Sequence, residues 1–172
     1  MVIVAYFTAV IARAGGAWRA RDIEVDEALS LDELAESLRA VAADGEPVIA
    51  LLEHEDEWFA VVRVDGDDEP RIFVSDLPAA SRGGFAALVA PAADVVLEEE
   101  PEDDEDDGGE SDDAEPSDGP AAWAGDPDLL DDLGVPGPEL RRWVEDHGED
   151  PAAVLADVGE QVGFGELLEA LR

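Results

Sequence analysis

Between Asp94 and Pro120 the chain carries fifteen acids, no base and no apolar periodicity. No other stretch limits the fold so strongly. A segment of this composition cannot bury enough apolar surface to offset the entropy of ordering it, and its like charges push it open. It predicts a disordered tether over 94–120. Packed structure must then come from the flanks: an α+β sheet domain over 1–93 and a small helical module over 121–172.

In the first flank, Val2–Ala12 reads V-I-V-A-Y-F-T-A-V-I-A, continuous and rich in β-branched and aromatic residues. That is the pattern of a central strand. The run is too short to span a bilayer, and no basic residues precede it as in a secretory signal, so the protein reads as cytoplasmic. Gly15-Gly16 supplies a turn. Trp18 and Ala20 then alternate with Arg19 and Arg21, and the phase slips near Asp22, predicting a hairpin that ends in a bulge or at the strand's end. A-L-S-L-D-E-L-A-E-S-L-R-A-V-A follows. Ser30 and Glu33 form a capping box, and Leu29 and Leu34 stand where a hydrophobic staple would. Leu31, Leu34, Leu38 and Val41 make one apolar stripe, so a helix is predicted over about 30–43.

Three further strands are expected at Pro47–Glu53, Glu57–Val64 and Pro70–Ser75, with Asp65-Gly66-Asp67 as a hairpin turn. Ala79–Val89 suits a short helix weakened by Gly83 and Gly84. The fold predicted is an antiparallel sheet of about five strands with helices on one face.

The second flank is punctuated by Asp126-Pro127, Gly137-Pro138 and Asp150-Pro151, each a tolerated cap before proline at the first helical position. Gly134, Gly148 and Gly163 suit helix ends. Three or four short helices result, marginal on their own, and the sequence leaves open whether they dock on the sheet or on a partner.

Charge excludes some functions. Residues 1–93 carry a net −11, residues 94–120 −15 and residues 121–172 −10, for −36 in all. Binding nucleic acid or an anionic membrane by a broad surface needs clustered Lys or Arg. This chain has no Lys, and its bases are ten Arg. A basic partner protein suits it better. The absence of Cys excludes disulfides, thiolate metal sites and a thiol nucleophile.

Among candidate sites, Glu53-His54-Glu55-Asp56 lies between two apolar strands. A metal site would need further rigid ligands, usually imidazoles or thiolates. The other histidine, His147, lies across the tether. The stretch reads instead as the polar tip of a hairpin, which needs nothing special, and His54, Glu55 and Asp56 there can still offer partner contacts. Asp103–Gly108 imitates a calcium loop, but its twelfth position is Ala114 instead of a bidentate Glu. No nucleophile elbow or phosphate-binding loop is present. Trp123, at the end of the tether, either docks on a partner groove or caps its own helices. No catalytic residue, metal or cofactor is assigned.

The stretches Y-F-T-A-V-I-A-R-A-G-G-A-W-R-A-R-D-I, L-L-E-H-E-D-E-W-F-A-V-V-R-V-D-G and P-R-I-F-V-S-D-L-P-A-A-S-R resemble the bacterial tRNA adenosine deaminase-associated proteins. The acidic spacer and the ending D-L-L-D-D-L-G … G-F-G-E-L-L-E-A-L-R are similar too. The resemblance implies association with the enzyme that converts adenosine to inosine in a tRNA anticodon. A zinc nucleobase deaminase itself needs His-x-Glu and Pro-Cys-x-x-Cys segments. His54-Glu55-Asp56 only imitates the first, and the second is impossible without Cys. The expected function is therefore a non-enzymatic accessory protein that binds a basic partner surface. The alternatives are a carboxylate- and metal-dependent enzyme built on Glu53–Glu57, and a nucleic-acid mimic or general acidic chaperone.

Overall fold

The computed structural model describes residues 6–21, 30–42, 45–54, 57–82, 85–92, 123–147 and 150–171. The expected tether over 94–120 lies outside the described residues, as do Asp22, Leu29, Glu55, Asp56, Gly83, Gly84, Gly148 and the His147 side chain. No helix among the described residues is long and apolar enough to cross a membrane.

Strands β1 (Tyr6–Ala14) and β2 (Ala17–Arg21) form the expected hairpin. Gly15 and Gly16 have φ of 64° and 85°, the left-handed values that a two-residue hairpin turn requires. Helix α1 (Leu31–Val41) begins at Ser30, whose Oγ accepts a hydrogen bond from Glu33 N at 3.2 Å. The stripe Leu31, Leu34 and Leu38 is buried. Strands β3 (Pro47–His54), β4 (Trp58–Asp65) and β5 (Arg71–Val74) follow as a meander.

The expected helix at Ala79–Val89 is split into α2 (Leu77–Ala80) and α3 (Ala86–Val89). Asp76 starts α2 early by accepting from Ala79 N at 3.0 Å.

A sixth strand, β6 (Ala124–Gly125), comes from the C-terminal flank and pairs with β5. The order is β2-β1-β3-β4-β5-β6, antiparallel throughout. Gly125 is demanded by this pairing. Its φ is 104°, and a Cβ there would run into the Ile72 carbonyl oxygen and crowd Phe73 Cα.

The remaining elements among the described residues are a 3-10 turn (Asp131–Leu133), α4 (Gly137–His147), α5 (Pro151–Val162) and α6 (Gly165–Leu171). After Asp126-Pro127 the chain makes a turn where a helix was expected. Asp126 Oδ1 accepts from Asp128 N at 2.9 Å, an Asx turn that competes with helix initiation. The other two Pro signals open α4 and α5. Asp150 caps α5, and Gly163 closes it with φ of 115°.

Period-two alternation distributes the strand residues between two cores. Val10, Ala12, Val48, Ala50, Leu52, Ala60, Val62, Ile72 and Val74 face α1, α2 and α3. Ala9, Ile11, Ile49, Leu51, Phe59, Val61 and Phe73 face the C-terminal elements, where Leu129, Leu140, Leu155, Val158 and Phe164 complete a second core. The helices of the first flank lie on one face, as the sequence predicts. The question the sequence left open is answered by the opposite face, on which the C-terminal helices dock.

Candidate interaction surface

The β3–β4 hairpin ends at His54, whose Cα partner is Trp58, and Glu57 N donates to His54 O at 2.9 Å. Opposed residues share a face, so both rings project to the α1 side. They stack at 5.8 Å with planes 26° apart, and Trp58 meets the edge of Phe85 at 6.0 Å. The Glu57 carboxylate lies 3.3 Å from His54 Nδ1. The imidazole is thus packed onto the rim of the core beside the Glu57 carboxylate. Among the described residues, no three His, Asp or Glu side chains converge in the manner of a metal site.

Trp123 lies at the far edge of the sheet. It is partly buried, stacked on Phe73 at 5.7 Å and 26°, with Arg141 Cζ 5.7 Å from its ring centroid. The structure therefore brings Trp123 against its own sheet and α4, and does not bring it near His54.

Two residues of this region stand out only in the structure. Arg63 and Arg71 are direct partners across β4 and β5. Both reach the acidic loop 126–132. Arg63 is 5% exposed. Its Nη1 donates to Leu129 O at 2.7 Å and to Asp132 Oδ1 at 2.6 Å, its Nη2 to Asp132 Oδ2 at 3.0 Å, and its Nε to Asp65 Oδ1 at 3.1 Å. Arg71 Nε donates to Asp126 Oδ2 at 3.1 Å and its Nη2 to Asp128 O at 3.2 Å. This fork geometry is the strong, directional form of the Arg–carboxylate contact. Between them the two arginines clamp the C-terminal flank to the sheet.

Burial alone would push the Arg63 guanidinium down, but hydrogen bonding and charge from Asp132 and Asp65 outweigh it and hold the group above its usual value. The hydrogen bonds from Arg63 in turn hold the Asp132 carboxyl below its usual value of 3.8, against some desolvation. A depressed folded-state carboxylate stabilises the fold above its unfolded pKa and loses that contribution as pH falls through the folded value. Asp132→Asn should therefore melt below the wild type at neutral pH, with the gap steady down to about pH 5 and closing below about pH 4. Melting curves of both proteins across that range check this; a gap that persists unchanged in acid would contradict it.

Other arginines also turn to intramolecular partners. Arg39 donates to Gly66 O at 3.1 Å and Asp68 O at 2.9 Å, Arg13 lies over Trp18, and Arg141 over Trp123. The carboxylates of Asp32, Glu33, Glu36, Glu145, Asp146, Glu160, Glu166 and Glu169 are exposed. Among the described residues, the exposed sides of α1, α5 and α6 thus turn a negative field outward, while α4 also exposes Arg142.

A family model described as Rv3753c-like tRNA adenosine deaminase-associated protein matches residues 6–165. No curated protein and no solved structure matches the chain.

Proposed function

The chain belongs to the Rv3753c-like tRNA adenosine deaminase-associated protein family, and from that premise we propose that it is a non-enzymatic accessory protein that binds a tRNA adenosine deaminase on the enzyme's basic, RNA-facing surface. The observation that carries this reading is where the charges lie. Arg39, Arg63 and Arg71 are engaged by acceptors of the chain itself, while carboxylates line the exposed sides of α1, α5 and α6.

A tRNA-modifying enzyme presents Lys and Arg because phosphate neutralisation drives RNA binding. A folded acidic platform complements that surface and speeds encounter with it. Such a partner places the protein in the cytoplasm. The accessory role also agrees with the sequence, since a chain without Cys cannot build the thiolate zinc site of a nucleobase deaminase.

A tagged full-length chain should capture the deaminase as its dominant partner from a lysate of the source cells, and salt should elute it. Capture of a broad set of basic proteins, with the deaminase no more enriched than the rest, would favour a general acidic chaperone instead.

A further inference from the structure

An open groove of about 670 Å³ lies between Trp18 on β2 and the pair α5–α6. Its making is local. A Cβ on Gly159 would stand only 3.1 Å from Gly165 Cα, so the two glycines let α5 and α6 close on each other. Gly163, at φ of 115°, turns the chain from one helix into the other. A Cβ there would stand 3.7 Å from Trp18 Nε1, so the indole's N–H edge meets the turn. Phe164 meets the same indole edge-on at 5.6 Å, and Arg13 Cζ lies 5.4 Å from its centroid. The wall is therefore held in place by the core.

The groove has two chemistries. Trp18 and Leu167 give it an apolar floor, and Glu160, Glu166 and Glu169 give it an acidic rim with no base among the lining residues. All three rim residues are exposed. Its volume falls within the ordinary range of ligand-binding clefts. A second copy of the chain, itself at −36, and the chain's own 94–120 segment, at −15, are both repelled by such a rim. The occupant that complements it comes from another molecule and is cationic with an apolar side chain between its charges.

Resting on the accessory reading above, we propose that this groove is the docking site for a basic segment of the partner protein, which lays an apolar side chain on the Trp18–Leu167 floor and sets Arg or Lys against Glu160, Glu166 and Glu169.

The test is the Kd of the full chain for the purified deaminase, compared among three proteins: wild type, a groove variant with Glu160→Arg, Glu166→Arg and Glu169→Arg, and a control variant with Glu36→Arg, Glu145→Arg and Asp146→Arg. The two variants shift the net charge equally, at exposed positions, and circular dichroism establishes that each is folded. Glu166→Arg alone serves if the triple groove variant does not fold. The groove variant should weaken binding at least about tenfold more than the control. Equal weakening in both variants, or a groove variant that binds like wild type, overturns the groove while leaving the accessory reading in place. Failure of the wild type to bind at all overturns both.

Discussion

A fragment ending at Ala92 should fail to fold on its own. Removing everything after it uncovers Ile11, Ile49, Leu51, Phe59, Val61 and Phe73, all essentially buried in the intact chain. Burying each such side chain fully contributes about 1.5–3 kcal/mol, so the face as a whole contributes on the order of 10 kcal/mol. A domain's total stability is only about 5–15 kcal/mol. The fragment also loses β6 and exposes the edge of β5. The expected result is an aggregating product without a cooperative melt, whereas the full chain melts cooperatively. A soluble 1–92 fragment with a sharp transition near that of the full chain would mean that the second face needs no cover. The same reasoning assigns the C-terminal helices a structural role in addition to any contact they make with a partner.

Arg63→Ala should be the most damaging substitution of a charged residue on the docking face. It strips the buried Leu129 carbonyl of its donor and leaves Asp65 and Asp132 facing a gap. Removing one partner of a buried ion pair costs about 3–5 kcal/mol, and orphaning a buried acceptor about 1–3 kcal/mol. The Asp132 side chain is 64% exposed and recovers hydration when released, which tempers the loss. A net loss of about 2–4 kcal/mol remains, or roughly 5–15 °C in melting temperature for a chain of this size. Arg63→Met separates the causes, because it keeps the aliphatic stem and removes the hydrogen bonds. It should fall between alanine and wild type. Urea midpoints of the three proteins measure this. An alanine variant as stable as wild type would show that the clamp contributes nothing to docking.

Much of this fold was legible where the signal is local. Ser30 and Glu33 announced α1, Gly15-Gly16 the first turn, and Asp150-Pro151 with Gly163 both ends of α5. In each case a side chain or a φ value acts within one turn of the chain. Long-range features were less visible, and β6 least of all. Ala124-Gly125 has little strand propensity, and only the approach of β5 requires glycine there. The covering of both sheet faces had left a trace. Val48–Leu52 is apolar at every position, odd and even, which an antiparallel strand does not need unless both sides are buried.

Arg63 gives no sign of its role in the sequence. Nothing within V-V-R-V marks the base as buried, and its burial follows only when the loop 126–132, with contacts 66 and 69 positions along the chain, is brought to meet it. The candidate contacts divide in the same way. His54 lies at a hairpin end that the turn residues foretold, while Trp123 faces Phe73 and Arg141 through contacts made after docking. The groove beside Trp18 joins residues from the two ends of the chain, so no window of sequence contains it.

As proposed, complementary charge holds this acidic chain to the deaminase as its companion. Titrating the full-length chain into purified tRNA adenosine deaminase tests that most directly. A saturable complex should form at low ionic strength and weaken steeply toward about 1 M salt, where the Debye length shrinks to about 3 Å. No heat or mobility change at low salt, or an affinity indifferent to salt, would contradict it.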